Sequence, residues 1–276
     1  MTAEAKAKLE RVKALLRGCG RVLVAYSGGV DSAFLAKIAY DVLGDKMLAV
    51  IADTPSLPRR ELRDALELGK RFGFSVRVIK TSEMENASYT SNPPDRCYFC
   101  KTELFEKTGA LAKAEGGATI VYGANADDTG DFRPGSNAAA KFGVRAPLQE
   151  AGLTKSEIRA FSALLGLPTA EKPAMACLSS RIPYGDAVSV EALAMVEAAE
   201  DFLRDRGFRD VRVRHHRTLA RIEVAVPEMF RLLETGMREE VCEELKRIGY
   251  AYVALDLRGY RQGSLNEVLA SKINSQ

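Results

Sequence analysis

The chain has almost no excess of charge. Against 40 lysines and arginines stand 37 aspartates and glutamates, a formal net charge of +3 over 276 residues. No block of one sign stands out. That balance argues against a nucleic-acid or membrane partner, since both select strongly basic surfaces. Long apolar runs are also missing. The stretch 22–26 is apolar but far too short for a hydrocarbon core of about 30 Å. No internal repeat or low-complexity tract is visible. The opening residues do not read as an export signal, because residues 3–16 place charged and apolar side chains at the spacing of an amphipathic helix. A cytoplasmic, reducing compartment is therefore expected. The five cysteines (Cys19, Cys97, Cys100, Cys177 and Cys242) are expected to be thiols or ligands rather than a disulfide framework. Histidine is scarce too. His215 and His216 are the only two, and neither stands out as a general base.

What is present reads as alternating strands and helices. Residues 21–26 are apolar, β-branched and bounded by glycines, which predicts a buried strand. A helix is expected over 33–43, a strand over 48–51, a helix over 58–72, a strand over 75–79, a helix over 102–115 and a strand over 119–122. Such alternation implies parallel βαβ units and a doubly wound sheet. Near residue 170 the pattern changes. A loop carrying Pro173, Cys177 and Pro183 leads to a long helix, two strand-like stretches, one or two further helices and a last strand. The expected organisation is an α/β domain over residues 1–170 and a smaller α+β domain over 171–276.

The first strand runs into Ser27-Gly28-Gly29-Val30-Asp31-Ser32. Two glycines between a strand and a helix let backbone N–H groups converge on an anion at the helix N-terminus. Ser27 and Ser32 add hydroxyls. Asp31 can cap the helix or hold a magnesium ion on phosphates. A Walker A loop would need a terminal Gly-Lys-Ser/Thr, which is absent. The nearest approach to a dinucleotide fingerprint, Gly18-Cys19-Gly20, precedes the strand, and Leu23 occupies the place of its third glycine. The six-residue loop resembles the PP-loop of the N-type ATP pyrophosphatases, whose fold is the adenine nucleotide alpha hydrolase-like sheet. That resemblance implies ATP cleaved between its α and β phosphates. It also implies adenine lying near Ala52-Asp53-Thr54 and Gly123-Ala124-Asn125.

Cys97 and Cys100 form a C-x-x-C, a spacing at which two thiolates can share one metal centre. Taken alone it is a weak signal. Cys177 lies in the loop between the expected domains, near Lys172 and Arg181, where a thiol can become nucleophilic. Cys19 and Cys242 read as incidental.

Almost end to end, the chain resembles the LarE family of PP-loop sulfur transferases. The residues that carry the resemblance are Ser27 to Ser32, Arg96-Cys-Tyr-Phe-Cys-Lys101, Gly123-Ala-Asn-Ala-Asp-Asp128, Asp131-Phe-Arg-Pro-Gly135 and the stretch from Cys177 to Gly185. Val211-Arg-Val-Arg214, Ala220-Arg-Ile-Glu223 and Leu255-Asp-Leu-Arg-Gly-Tyr-Arg-Gln-Gly263 extend it. The resemblance implies an ATP- and magnesium-dependent enzyme that adenylates the carboxylates of pyridinium-3,5-biscarboxylic acid mononucleotide. Sulfur then converts them to thiocarboxylates on the way to the nickel-pincer cofactor of lactate racemase. It also implies a homo-oligomer. Two sulfur sources stay open. Cys97, Cys100 and Cys177 suit a 4Fe–4S cluster with one iron free for an extra sulfide, which is the favoured reading. Alternatively Cys177 gives up its own sulfur. A tRNA thiolase of the same superfamily is the rival enzyme, but it would need an RNA-binding surface that the charge balance does not support.

A substrate with a phosphate and two carboxylates calls for fixed cations, and the arginine fork matches such groups. Arg181 and Ser180 share the Cys177 loop, and Arg212 and Arg214 alternate along one strand and so share a face. By the resemblance, that face binds substrate or the AMP phosphate. Lys101 is expected to offset adenylate charge, and Glu200 and Glu223 to contribute to an acidic metal site.

Overall fold

Strand β1 (Val22–Ala25) is buried along its whole length, because both of its faces are covered. Val22 and Val24 pack with one set of helices. Leu23 packs beside Val50 and Ala112, and Ala25 packs against Phe105 and Ala138. The pleat sends successive side chains to opposite faces, so a strand between two helical layers must be apolar throughout. The computed structural model describes residues 1–129, 134–173, 176–261 and 263–264. They form two compact units, Met1–Glu83 with Asp95–Met175, and Met84–Pro94 with Ala176–Gln276. None of the described helices is long and apolar enough to cross a membrane.

In chain order the elements are α1 (Ala3–Cys19), β1, α2 (Val30–Leu43), β2 (Met47–Asp53), α3 (Arg59–Phe72), β3 (Val76–Lys80), α4 (Ala87–Thr90), α5 (Arg96–Ala114), β4 (Thr119–Tyr122), α6 (Pro134–Lys141), α7 (Pro147–Glu150) and α8 (Lys155–Leu164). There follow α9 (Val190–Asp205), β5 (Arg212–His216), β6 (Leu219–Glu223), α10 (Met229–Leu233), α11 (Thr235–Ile248) and β7 (Tyr252–Leu255). The first unit carries a four-stranded parallel sheet in the order β3-β2-β1-β4. From β1 the chain winds outward through β2 to β3, then returns to place β4 on the other side of β1. Ligands of such sheets bind beyond the strand C-termini where the winding reverses, and here the loop 27–32 occupies that point.

The second unit has a three-stranded sheet, β5-β6-β7, with β5 and β6 antiparallel and β6 and β7 parallel. Ala199 and Leu203 of α9 and Val241 and Leu245 of α11 pack with Val213, Ala220 and Ile222 of the sheet. The expected α/β and α+β architectures are both present. Two particulars differ from the sequence reading. The helix expected to begin at residue 102 begins at Arg96, so the C-x-x-C lies on its first two turns. Residues 84–94, read as part of the first domain, belong with the second unit. The Asn92 amide donates to the carbonyls of Ile182, Pro183 and Asp186 at 3.2, 2.7 and 3.1 Å. The Tyr89 and Ser179 hydroxyls lie 2.7 Å apart. Hydrogen bonds across some ninety residues of chain leave no periodic trace in the sequence.

Candidate active site

The loop after β1 is held by its own serines. The Ser27 and Ser32 hydroxyls share a hydrogen bond of 2.9 Å, the Ser27 amide donates to Ser32 Oγ at 3.1 Å, and Ser32 Oγ donates to the Gly29 carbonyl at 3.2 Å. Gly28 sits at φ +72, and a Cβ there would come within 2.8 Å of Ala65 Cβ in α3. Gly29 caps α2 with no side-chain hydrogen bond. The first-turn amides of Val30 and Asp31 have no carbonyl acceptor within the helix. An anion can therefore meet bare N–H groups at the positive end of a helix of 14 residues.

Gly123, just past β4, packs onto this helix start. A Cβ there would lie 2.8 Å from the Ser32 nitrogen and 2.9 Å from the Asp31 carbonyl carbon, so only glycine lets the two backbones meet. Asn125 follows, its side chain accepting from the Asp127 amide and donating to Asp31 Oδ1 at 3.4 Å. The other Asp31 oxygen accepts from Lys155 Nζ. Lys155 is a site residue that the sequence motifs do not mark. The one signal that could have found it is its place as a cation at the first position of a helix, where the dipole disfavours one. Asp53, at the end of β2, accepts from Arg59, which also donates to the carbonyls of Thr54 and Leu57.

Cys97, Cys100 and Lys101 lie on the N-terminal turns of α5. Positions three apart share a helix face, so the two thiols stand on one side. Lys101 reaches back over the ring of Phe105, 5.9 Å from its centroid, and a Cβ on Gly135 of α6 would lie 3.1 Å from its Cγ. All five cysteines are unbridged thiols. Residues 130–133, 174–175 and 262, some of which fall within the blocks Asp131–Gly135 and Leu255–Gly263 or just before Cys177, lie outside the described residues.

In the second unit, Cys177, Ser180, Arg181, Glu200, Arg214 and Glu223 form one network. Arg181, 2% exposed, forks onto Glu200 at 2.8 and 2.9 Å. Its remaining Nη1 donates to the carbonyls of Ala176 and Cys177 at 2.8 and 3.0 Å and to Ser180 Oγ at 2.9 Å. Glu200 also accepts from Arg204 at 2.6 Å and from the Val213 amide at 3.0 Å. Burial by itself would raise the Glu200 pKa. The charge and hydrogen bonds of Arg181, with Arg204 behind it, override burial and pull it down to about 2. Burial likewise opposes the charge on Arg181, but Glu200 outweighs it and the pKa rises. Arg214 donates to the Ser180 carbonyl at 2.9 Å, to Glu223 at 2.7 Å and to Ser264 Oγ at 2.8 Å. Its buried Nε has no hydrogen-bond partner among the described residues. Arg212 stacks over Tyr260, 5.1 Å from its centroid, and burial followed by the nearby Arg181 charge lowers its pKa.

The acidic metal site expected at Glu200 and Glu223 is occupied differently. Both carboxylates are fully buried and spent on arginines. Among the described residues no three His, Cys, Asp or Glu side chains gather to hold a metal ion. His216 joins the edge of this network, accepting from Arg221 Nε at 3.4 Å, and Arg221 pairs with Glu223 at 3.3 Å. His215 shares a hydrogen bond of 3.2 Å with the Tyr250 hydroxyl, and burial lowers the pKa of both rings.

Residues 7–105 match the NAD synthase family. The pyridinium-3,5-bisthiocarboxylic acid mononucleotide synthase of Lactiplantibacillus plantarum is 36% identical over 93% of this chain and 92% of its own length. An uncharacterized protein of Synechocystis sp. is 45% identical over 96% of this chain and 98% of its own. A glutamine-hydrolyzing GMP synthase component of Methanococcus maripaludis is 28% identical, over 54% of this chain and 51% of its own. The GMP synthase component thus shares about half the chain, whereas the two longer matches span both units.

Proposed function

Because this chain belongs to the LarE family of PP-loop sulfur transferases, we propose that it adenylates the carboxylates of pyridinium-3,5-biscarboxylic acid mononucleotide and replaces the adenylate with sulfur. The observation that carries this reading is the 36% identity to the bisthiocarboxylic acid mononucleotide synthase over 93% of the chain. In the first step a substrate carboxylate oxygen attacks the α-phosphorus of ATP, and pyrophosphate leaves with the bonding electrons. In the second a sulfide attacks the acyl carbon and AMP departs, leaving a thiocarboxylate.

The residues support a division of this work. The amides of 28–31 and the hydroxyls of Ser27 and Ser32 receive the phosphates. Gly123, Asn125 and Asp53 border the nucleotide at the ends of β4 and β2. Asp31 is a hard oxygen donor beside the phosphate loop, which fits magnesium; the ion would neutralise phosphate charge there. Arg212 and the unpartnered Nε of Arg214 suit the substrate's anionic groups. Arg181 is buried and directs Nε, Nη1 and Nη2 to Glu200, Ser180 and the Cys177 loop. It grips the carbonyls on either side of Cys177 and so fixes the backbone that carries the thiol. Glu200 and Glu223 hold the two arginines in place. Lys101 stands one turn beyond Cys97, near enough in sequence to serve the same centre.

Cys97, Cys100 and Cys177 would hold a 4Fe–4S cluster. Three thiols are the donor set such a cluster takes, two of them stand one turn apart on α5, and the cluster would supply the transferable sulfide. The test is anaerobic turnover with ATP, magnesium and substrate, followed by nucleotide analysis, iron and sulfide assay and intact mass. AMP and pyrophosphate with an unchanged polypeptide mass and bound iron are expected. Loss of the elements of hydrogen sulfide from the chain would assign the sulfur to Cys177 instead. ADP and phosphate as the only nucleotide products would end the adenylation reading. Cys177→Ala should stop sulfur transfer while AMP release stays measurable. Cys97→Ser with Cys100→Ser should remove the iron.

A further inference from the structure

We propose that Lys172 is a positioning residue for sulfur transfer: paired with Glu61 of α3, it anchors the chain just before the Cys177 loop. The assignment rests on the reading of Cys177 as a residue of the sulfur-transfer step. In sequence Lys172 stands near Cys177, but its ammonium is committed elsewhere. Nζ lies 2.5 Å from Glu61 Oε2 and 3.9 Å from Asp64 Oδ2, and the Lys172 and Glu61 side chains are 17% and 22% exposed. The backbone of the same residue is held as well. Its amide donates to the Thr169 carbonyl at 3.0 Å, and its carbonyl accepts from Arg159 Nη2 of α8 at 2.8 Å. Arg159 Nη1 donates to the Ala170 carbonyl. The side chain and carbonyl of Lys172 are thereby tied to two helices of the first unit, α3 and α8.

The anchor sits where the heading of the chain is set. Pro173 comes next. Its ring fixes its own φ and disfavours the helical conformation at Lys172, so the direction taken at Lys172 is passed on. Helix α3 also backs the phosphate loop, since a Cβ on Gly28 would come within 2.8 Å of Ala65 Cβ and 3.7 Å of the Glu61 carbonyl oxygen. The helix behind the phosphate loop therefore holds the root of the segment that leads to the thiol. A half-covered ion pair adds little to global stability; this one acts by keeping the span of chain before the thiol short. Cys177 lies five residues beyond Lys172, a reach of about 17 Å for extended chain. Released at Lys172 and the turn before it, the chain is next held at Leu167 in the core, and the span to Cys177 doubles to ten residues. Effective concentration falls roughly as the −3/2 power of length, so the thiol is presented about threefold less often.

The test compares the full chain as wild type, Lys172→Arg, Lys172→Glu, and Lys172→Glu combined with Glu61→Lys. Each is assayed for AMP and thiocarboxylate formed with ATP, magnesium and substrate, and for hydrogen exchange of the amides in 167–172. Lys172→Glu sets a carboxylate against Glu61 and Asp64. It is expected to cut the thiocarboxylate formed per AMP about threefold, to leave AMP release unchanged and to speed exchange at residues 170 and 172. Lys172→Arg should keep the wild-type ratio, and the charge-swapped pair should recover it. Equal losses of AMP and thiocarboxylate, an unchanged ratio in Lys172→Glu, or a swapped pair no better than Lys172→Glu overturns the assignment. If the wild type yields AMP but never a thiocarboxylate, the sulfur-transfer reading fails, while exchange at residues 170 and 172 still decides whether Glu61 anchors Lys172.

Discussion

A Cβ at Gly123 would press on backbone atoms of Asp31 and Ser32, which cannot rotate out of the way. Gly123→Ala should therefore push the start of α2 from β4 and cost about 1–3 kcal/mol. A melt lowered by several degrees, with ATP affinity falling alongside, is the expected readout; unchanged ATP affinity would remove this contact from the nucleotide site. Glu200 offers a second test at the same scale. Its folded pKa of about 2 lies below the ordinary 4.5, so in that interval the unfolded chain binds the extra proton. The stabilisation is whole above about pH 4.5 and is lost as pH falls through about 2, on the order of 3 kcal/mol. Glu200→Gln should lose about 3–5 kcal/mol at neutral pH, because Arg181 is left buried without its partner. The variant should also lack the corresponding fall in stability between pH 4.5 and 2. Urea unfolding across that range measures both, and an unaltered pH slope would show that Glu200 does not carry the effect.

Helix α8 buries Ile158 and Phe161 in the core and pairs Lys155 with Asp31 at the start of α2. Its capping box, Thr154 with Glu157, sets its first turn, and Lys8 of α1 adds an ion pair to Glu157 at 3.0 Å. Thr154→Ala should cost about 1 kcal/mol and lower the melting temperature by about 2–4 °C. A thermal melt checks this, and an unchanged melting temperature would show that the cap does not hold the helix start. The early start of α5 carries a comparable lesson. With Asp95 at its head and Arg96 buried, the C-x-x-C becomes a helical pair with both thiols on one face rather than a loop.

At the scale of the whole molecule, the second unit owns residues that the chain order assigns to the first. Asn92 donates to three carbonyls of the segment that follows Arg181, of which Pro183's also accepts from the Asp186 amide. Asn92→Ala should leave the Ile182 and Asp186 carbonyls without this donor, at a cost of about 1–3 kcal/mol. On the proposed role of the Cys177 loop, sulfur transfer should fall further than AMP release. Denaturant unfolding paired with the two product assays checks this, and equal losses in both assays would argue that the segment serves the fold only.

Much of the first unit was legible because its signals are local. Unbroken apolar strands, glycines at turns and the spacing of helical residues gave the parallel sheet, and the glycines of 27–32 gave the turn from β1 into α2. Lys155, the arginine–glutamate hub around Glu200 and the crossing of residues 84–94 escaped that reading. Each depends on partners far along the chain, such as Arg181 with Glu200 or Lys155 with Asp31. The sequence by itself determined which residues could be buried, which turns needed glycine and where thiols and cations were available. Only the tertiary structure decided which carboxylate met which cation, because a charge carries no period and its partner is chosen by packing.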